Sequence, residues 1–318
     1  MSRARPLIIG HRGAPGFRPE HTRSSYDLAI QQGADAVEPD VVVSRDGVLV
    51  VRHDVELSET TDVASRPEFA DRRATRTVDG ARLTGWFCED FTWEELATLT
   101  ARERIPRLRP QSARYDGQQP ILRLRDLLAL LDAADRPVVP VIEVKHPTYL
   151  AAAGFDLAEL LDAELHAAGW ADGRRPLVIE SFETTVLGAL QARGIPAEYV
   201  ALLEASGSAP DTGMLYDEAT TDAGLDRLAG QGIGGISVAK ETLLRAGGRG
   251  LVERAHARGM RVFTWTLRPE NAFLDPRFRR GADAAAFGDY PGEWAAIRDT
   301  GVDAVFVDHP DLGRDVFG

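Results

Sequence analysis

The N-terminal part of the chain holds histidines and carboxylates that follow short apolar runs, where parallel strands would end. The set consists of His11, Arg12, Gly13, Glu38, Asp40, His53 and Asp54. Because an imidazole titrates near neutral pH, His11 and His53 are candidates for general acid–base catalysis. Carboxylates are the ligands that hard cations prefer. The combination is more specific than any one of its members and predicts an enzyme active site.

The carboxylates are spaced so that a cation could join them. Glu38 and Asp40 are two positions apart, so on a strand both side chains point to one face. Glu143, near the end of a later apolar run, adds a third carboxylate. Three carboxylates without clustered Cys or His suit one divalent cation, Ca²⁺ or Mg²⁺, and the pattern leaves that choice open. Lys145 is two residues beyond Glu143 and is expected at the same site, contacting a phosphate oxygen or holding a metal carboxylate.

The remaining members of the set have supporting roles. Arg12 carries the forked guanidinium that phosphate oxygens favour. Gly13 is expected to permit a close approach of the backbone to the same phosphate. Asp54 is expected to orient His53 from a second layer, or to cap a helix or turn.

These residues must be positioned by alternating strands and helices. The expected strands are 7–10, 35–41, 138–144, 177–182, 199–204, 234–239, 261–266 and 303–308. Helical patterns cover 21–32, 123–134, 155–168, 183–193, 242–258 and 292–299. Eight βα repeats in 318 residues predict an α/β fold, the TIM (β/α)8 barrel, with its chemistry at the carboxyl ends of the strands.

A ninth apolar run at 48–52 is explained by a hairpin. The dipeptide Asp46-Gly47 between alternating residues is typical of a tight hairpin turn. If 40–45 pairs with 48–53, Asp40 lies opposite His53. The hairpin then returns the second histidine to the carboxylates.

Residues 55–120 fit no βα unit. They contain many arginines and several aromatic residues, and Thr92 with Glu95 predicts a capping box at the start of a helix. So long a segment is expected to be an insertion subdomain of a single domain spanning 1–318, leaving from the barrel mouth and covering it. The alternative is a solvated subdomain that only packs against the outer helices.

Composition restricts the partners. The net charge of −12 disfavours nucleic acid, whose phosphates attract clustered Lys and Arg. One cysteine excludes an intramolecular disulfide and fits a reducing compartment. No apolar run reaches the length of a signal-peptide core or a membrane span. We therefore expect a cytoplasmic protein without stable membrane insertion, although removal of a signal would leave the same sequence. The oligomeric state stays open.

The pattern His-Arg-Gly, Glu-x-Asp, His-Asp resembles the opening signature of the glycerophosphodiester phosphodiesterase family, and Glu143-Val144-Lys145 is similar to that family's Glu-Ile-Lys. The resemblance spans nearly the whole chain. It implies metal-dependent hydrolysis of glycerophosphodiesters to sn-glycerol 3-phosphate and an alcohol. It also implies that one histidine deprotonates the glycerol 2-hydroxyl while the other protonates the leaving alkoxide, by way of a cyclic phosphate that water opens. Which histidine does which stays open.

Later positions match the family less closely. Glu180 stands where relatives more often have Gln or another polar residue, and with Phe182 it is a candidate for substrate binding or, alone, for pairing with an arginine. Trp265 corresponds to a Trp near the C-terminal end of the family's pattern. It could line the glycerol pocket or pack in the core. Asp308-His309-Pro310 resembles the closing Asp-x-Pro, with a structural or exposed His309. Relatives read Pro-Glu-Asn-Thr where this chain has His21, which puts the cap of the first helix in doubt.

Two alternatives remain. Lysophospholipase D or sphingomyelinase D-like enzymes share the His and carboxylate set, although the secreted toxins among them tend to carry loop disulfides. A non-catalytic phosphodiester-binding barrel would be expected to lose at least one member of the set, and here all are present. The head group of the small-molecule substrate is left open.

Overall fold

The computed structural model describes residues 5–318, and its strands form a closed parallel barrel. The strands in this part of the chain are β1 (Leu7–His11), β2 (Ala36–Glu38), β3 (Asp40–Val43), β4 (Leu49–Val51), β5 (Ala74–Val78), β6 (Ala81–Gly85), β7 (Val139–Val144), β8 (Val178–Ser181), β9 (Glu198–Leu203), β10 (Gly235–Ala239), β11 (Arg261–Leu267) and β12 (Ala304–Val307). The α-helices are α1 (Arg23–Gln31), α2 (Trp93–Leu96), α3 (Leu124–Asp132), α4 (Pro147–Ala152), α5 (Leu157–Ala167), α6 (Thr184–Ala192), α7 (Tyr216–Ala219), α8 (Asp222–Gly230), α9 (Lys240–Leu244), α10 (Gly248–His256), α11 (Tyr290–Arg298) and α12 (Pro310–Phe317).

The barrel has eight positions, and the second is shared by two short strands. Starting from β1, the order runs through β12, β11, β10, β9, β8 and β7, and β7 closes the circle by pairing with both β2 and β3. The predicted TIM barrel is confirmed. The single strand predicted over 35–41 is broken at Pro39, which has no amide hydrogen to donate to the ladder. Glu38 therefore ends β2 and Asp40 begins β3.

The predicted hairpin is formed by β3 and β4, but its register is shifted by one residue. Val41 pairs with Val51, so Asp40 lies opposite Arg52 and the predicted pairing with His53 is wrong. The reason is the turn: a three-residue loop with a glycine at positive φ replaces the predicted two-residue turn. His53 instead follows the end of the hairpin and still reaches the barrel mouth.

Most predicted helices are found close to their predicted positions. The single helix predicted over 242–258 is divided into α9 and α10 at Gly247, whose φ of +96° is a left-handed conformation. Thr92 and Glu95 form the predicted capping box at the start of α2. Within residues 5–318, no helix has the length and apolar character needed to cross a membrane.

The segment 55–120 packs against the barrel rather than standing apart. It contains short 3₁₀ turns, the β5–β6 hairpin and α2. Phe87, Phe91 and Leu96 are fully buried in the same apolar cluster as Val41 and Val43 of the barrel. This segment therefore shares the core that the barrel strands build.

Candidate active site

The interior of the barrel has an apolar layer below a polar layer. The apolar layer consists of Ile9, Ala36, Val141, Val178, Val200, Phe263, Ala304 and Phe306. Because side chains alternate along a strand, residues two positions further on face the same interior. Those residues are His11, Glu38, Glu143, Glu180, Leu202, Trp265 and Asp308. The polar layer thus lies at the carboxyl ends of the strands, where TIM barrels carry their active sites.

A cavity of about 630 Å³ opens above this layer. It brings together most of the predicted site residues, namely His11, Arg12, Glu38, His53, Glu143, Lys145, Phe182 and Trp265. Asp40 and Glu180 are fully buried and lie behind its wall. From the 55–120 segment, Asp79 contributes to the wall.

The three predicted metal carboxylates meet at one point. Glu38, Asp40 and Glu143 each offer an oxygen, and these oxygens lie within 4.8 Å of one another. Asp40 and Glu143 are direct neighbours in the parallel pairing of β3 with β7. Within the described residues, Oδ1 of Asp40 is buried without a hydrogen-bond partner. A buried, unsatisfied carboxylate oxygen in an all-oxygen cluster fits a hard divalent cation.

The charges of this cluster are unevenly compensated. Burial, followed by Asp40 and Glu180, raises the pKa of Glu38 well above its ordinary value. Burial raises the pKa of Glu143 to about 7, with Asp40 adding to the shift and Lys145 opposing it. Burial would also raise the pKa of Asp40, but His21 and Arg12 more than reverse this and hold it well below its usual range. A cation would supply the compensation that Glu38 and Glu143 lack.

The Nδ1 side of the His11 ring is held by a carboxylate. Its Nδ1 lies 2.5 Å from Oδ1 of Asp308, and its Nε2 lies 3.8 Å from Oε2 of Glu38. Burial would raise the pKa of Asp308, yet Arg268 and Arg109 lower it well below its ordinary value. Since an ionised carboxylate only accepts hydrogen bonds, Nδ1 carries the hydrogen and Nε2 of the neutral ring is left to act on a substrate.

His53 has the same arrangement. Its Nδ1 lies 2.7 Å from Oδ1 of Asp54, and the ring lines the cavity. Burial would raise the pKa of Asp54, but His53 and Arg104 lower it below its usual range. Asp54 therefore contacts His53 as a hydrogen-bond acceptor, as the orienting role requires.

The turn after β1 brings Arg12 towards the carboxylates. Arg12 has a left-handed φ of +55°, and its amide donates to Oε2 of Glu38 at 3.2 Å. Its guanidinium lies 3.2 Å from Glu20 and 3.4 Å from Oδ2 of Asp40. At Gly13, φ is +94° and a Cβ would lie 2.5 Å from Oγ of Ser25, so only glycine fits. The close approach at Gly13 is made to helix α1, whereas the predicted approach was to a phosphate and stays a prediction.

Lys145 pairs with one of the predicted metal carboxylates and lies beside aromatic rings. Its Nζ lies 2.9 Å from Oε1 of Glu143 and 5.6 Å from the centre of the Phe182 ring. Phe182 packs edge-on against Trp265 at 5.8 Å and against Tyr216 at 6.3 Å. Of the two predicted roles of Lys145, the contact with Glu143 is present in the structure.

Glu180 is enclosed more completely than the sequence suggested. It is 0% exposed, and within residues 5–318 neither carboxylate oxygen has a hydrogen-bond partner, so the predicted alternative of a pair with an arginine is absent. Burial, then Glu143 and Asp40, raises its pKa well above the ordinary value. A protonated carboxyl group is the form that this environment favours.

The sequence reading missed the role of His21. Its Nε2 lies 3.1 Å from Oδ2 of Asp40, and its Nδ1 lies 2.7 Å from the hydroxyl of Tyr26. The doubt about the helix cap was misplaced, because Thr22 caps α1 by accepting from the amide of Ser25 at 3.2 Å. The departure at His21 therefore affects the site and not the cap.

Other buried groups around the histidines also went unrecognised. In the sequence, Asp308 stands out only through its family pattern. Nothing in the pattern separates Arg104 and Arg109 from the other arginines of the 55–120 segment. Arg109 lies 2.6 Å from Asp308, and Arg104 lies 2.6 Å from Asp54. His309 is structural as expected, because it is buried and packs against Phe17 at 4.9 Å.

Comparison with known proteins is consistent with this geometry. Residues 11–312 match the family model described as "Glycerophosphoryl diester phosphodiesterase family". The chain is 34% identical over 326 aligned positions to the glycerophosphodiester phosphodiesterase GDPD6 of Arabidopsis thaliana, covering 97% of this chain and 85% of that protein. It is 30% identical to a probable glycerophosphodiester phosphodiesterase of Mycobacterium tuberculosis, covering 93% of each chain.

Solved structures share the fold. A putative glycerophosphoryl diester phosphodiesterase from Silicibacter pomeroyi aligns with a TM-score of 0.73 at 24% identity, covering 100% of this chain and 94% of that one. A phosphodiesterase of Oleispira antarctica, solved with the product sn-glycerol-3-phosphate, aligns with a TM-score of 0.68 at 22% identity, covering 98% of this chain and 96% of that one. From the near-complete family match, we conclude that this chain belongs to the glycerophosphoryl diester phosphodiesterase family of enzymes.

Proposed function

We propose that this enzyme hydrolyses glycerophosphodiesters to sn-glycerol 3-phosphate and an alcohol with the help of one divalent cation. The observation that carries the proposal is the placement of His11 and His53. Nδ1 of each imidazole contacts an aspartate oxygen, and each ring lines the cavity that Glu38 and Glu143 also line. The names of the relatives support the same substrate class.

Different residues of the chain have different roles in the reaction. Glu38, Asp40 and Glu143 would hold Ca²⁺ or Mg²⁺, which supplies charge stabilisation to a bound phosphate. Lys145 keeps Glu143 in place, and Arg12 adds positive charge beside the carboxylates. Phe182 and Trp265 form the wall against which we place the glycerol part of the substrate.

The histidines move the protons. One Nε2 takes a proton from the attacking glycerol 2-hydroxyl and the other gives a proton to the leaving alkoxide, and water then opens the resulting cyclic phosphate. Burial and the nearby Arg12 lower the pKa of His11 to about 4, and with Lys145 they lower that of His53 to about 3. Both rings are thus neutral at pH 7, the form a base needs. The negative charge of the bound phosphodiester raises the pKa of the ring it contacts, which favours the acid form when substrate is present.

We also propose that residues 1–318 form one domain and that 55–120 is a subdomain inserted into the barrel. The buried Phe87 and Phe91 belong to the core cluster that includes the barrel's outer face. Asp79 at the β5–β6 turn reaches the cavity wall, where its Oδ2 lies 2.5 Å from Nδ1 of His146. The insertion thus borders the active-site mouth, and we propose that it covers part of it.

The proposed function is tested by measuring glycerol 3-phosphate released from glycerophosphocholine, with chelator and with added Ca²⁺ or Mg²⁺. We expect release that stops in chelator and returns with the cation. Lysophosphatidylcholine and sphingomyelin are assayed in parallel for choline release or formation of the corresponding phosphate product. Activity on these lipids alone would replace our proposal with the lysophospholipase D or sphingomyelinase D alternative.

Cation binding should depend on pH through Glu143, whose pKa burial raises to about 7. A proton competes with the cation below that pH, so at one fixed Ca²⁺ concentration the rise in Tm should be larger at about pH 8 than at about pH 5.5.

In chelator, the stability of the metal-free fold should change with pH in the opposite direction. The folded protein retains a proton that the unfolded chain has released, so this group makes the fold less stable as the pH rises from 4.5 through about 7.

Calorimetry in buffers of different ionisation enthalpy measures the protons directly. We expect more protons to be released on Ca²⁺ binding near about pH 6, where Glu143 is largely protonated, than near about pH 9, where it is ionised. Equal Tm increases at the acidic and alkaline pH values would rule out Glu143 as a ligand with this pKa.

A further inference from the structure

Both proposed catalytic histidines are connected to the same turn of the 55–120 segment. In each case Nδ1 of the histidine contacts one oxygen of an aspartate, and the other oxygen of that aspartate contacts an arginine. The arginines are Arg109 for His11 and Arg104 for His53. We propose that Arg104 and Arg109 are positioning residues that fix the orientation of the two imidazoles. The activity readout below rests on the proposed function.

The connection to His11 is buried throughout. Nη2 of Arg109 lies 2.6 Å from Oδ2 of Asp308, while Oδ1 of Asp308 lies 2.5 Å from Nδ1 of His11. Nε of Arg109 lies 2.7 Å from Oε1 of Glu270, and the side chains of Arg109, Glu270 and Asp308 are 5%, 2% and 1% exposed. Nε of Arg268 also contacts Oδ2 of Asp308, at 2.7 Å. Asp308 is therefore held on one oxygen by two guanidinium groups and cannot rotate away from His11.

The connection to His53 extends to a metal carboxylate. Nη2 of Arg104 lies 2.6 Å from Oδ2 of Asp54, and Oδ1 of Asp54 lies 2.7 Å from Nδ1 of His53. The same guanidinium contacts both oxygens of Glu20, at 2.6 and 2.9 Å. Glu20 in turn contacts Arg12, whose Nε lies 3.4 Å from Asp40. Arg104 thus relates the position of His53 to that of the carboxylate cluster.

The two arginines are fixed relative to each other by the turn between them. The amides of Leu108 and Arg109 both donate to the carbonyl of Ile105, at 2.9 and 3.0 Å. The amide of Ile105 donates to Oε1 of Glu103 at 2.9 Å, and Glu103 is itself held by Asp116. A rigid turn that contacts both aspartates sets the distance and angle between two imidazoles. An in-line displacement needs that relationship, because the attacking and leaving oxygens lie on opposite sides of phosphorus.

Removing an arginine should change the reaction rate more than substrate binding. An aspartate that loses a guanidinium contact is held less firmly, and its imidazole can then turn or adopt the tautomer with hydrogen on Nε2. Arg104→Ala removes the guanidinium from Asp54, whereas in Arg109→Ala the guanidinium of Arg268 still contacts Asp308. In Arg104→Ala we therefore expect kcat to fall by about 10²-fold, as misplacement by about 1 Å can do, with a much smaller change in KM. In Arg109→Ala we expect a smaller fall in kcat, because Arg268 still holds Asp308. Guanidinium added to the buffer should restore part of kcat, because it can occupy the space and charge of the missing group.

The matched control is Arg107→Ala, on the same turn, whose side chain is exposed. It should retain the kcat of the parent protein and show no response to guanidinium. Ca²⁺ affinity measured by calorimetry should also stay the same in Arg109→Ala, whose contacts do not include the metal carboxylates. If Arg109→Ala does not fold, Arg104→Ala makes the same test on His53, since the Arg104 side chain is 23% exposed and less enclosed.

Nitrogen NMR of labelled imidazoles gives a readout that does not require activity. In the parent protein we expect His11 and His53 with hydrogen on Nδ1, and in the arginine variants a mixture of tautomers. Folded variants that keep both the parent tautomer and the parent kcat would overturn the proposal. A loss of kcat with unchanged tautomers and no guanidinium response would overturn it as well. A parent protein without phosphodiesterase activity would refute the proposed function, and the tautomers alone would then decide the positioning role.

Discussion

His53→Ala and His11→Ala should each lower kcat for glycerophosphodiester hydrolysis by about 10²–10⁴-fold, the usual contribution of a general acid or base. The fold should survive both changes. Without His53, Asp54 still contacts Arg104, and without His11, Asp308 still contacts Arg109 and Arg268. Neither change leaves a buried carboxylate unpaired, which is the situation that destabilises proteins strongly. Steady-state kinetics and the Tm of each variant provide the measurement.

The control for these variants is a histidine away from the site. His166 on α5 is exposed and contacts Asp162, so His166→Ala removes an imidazole without touching the cavity. It should keep the parent activity. A folded His53→Ala protein with near-normal turnover would show that this ring carries no proton in the reaction.

The positions of the strand-end residues could be predicted because a barrel leaves little freedom. Once Val141 faces the interior, Glu143 must face it too, and the same holds for Phe263 and Trp265. The apolar runs are therefore sufficient to bring together side chains that are distant in the chain. This alternation, together with the placement of both residues at strand ends and the family pattern, identifies Glu143 and His11 as neighbours of one site.

The one-residue error in the hairpin shows where such reasoning stops. Turn type determines register, and Asp46-Gly47 is compatible with both a two-residue and a three-residue loop. The shift places Arg52, rather than His53, opposite Asp40. His53 nevertheless reaches the cavity because it lies beyond the paired part of the hairpin. Its proximity to the site was predicted for a reason that the register contradicts.

The contacts behind the histidines could not be predicted from the pattern. Arg109 and Asp308 are 199 positions apart, and Arg104 and Glu20 are 84 positions apart. Arg109 lies in a segment without periodic apolar residues, so no strand or helix pattern indicates which way its side chain points. Arg107, two residues before it, is the same residue type and is exposed. Only the folded turn distinguishes an arginine that holds an aspartate from one in solvent.

Glu38→Gln should lower activity without lowering the stability of the metal-free fold. Losing one charged ligand removes several kcal/mol of stabilisation of the phosphate charge in the transition state, or about 10²–10³-fold or more in rate. The folded state, however, no longer contains the buried carboxylate of Glu38, whose negative charge is unfavourable there. Burial, Asp40 and Glu180 raise the pKa of Glu38 well above its ordinary value, which means that its ionised form is disfavoured in the folded state. In chelator, the variant should therefore have a Tm equal to or above that of the parent protein.

Added Ca²⁺ separates this interpretation from a purely structural role. The parent protein should gain Tm with Ca²⁺ by mass action, and Glu38→Gln should gain much less because its site binds the ion weakly. Glu94→Gln is the matched control: Glu94 is exposed on α2, so activity and the Ca²⁺ response should both be those of the parent. If Glu38 were only the hydrogen-bond acceptor for the Arg12 amide, the amide oxygen of Gln would accept the same bond, so the variant would keep both the parent Tm in chelator and the parent Ca²⁺ response. Because the two interpretations predict different Ca²⁺ responses, one melting experiment with and without the ion decides between them.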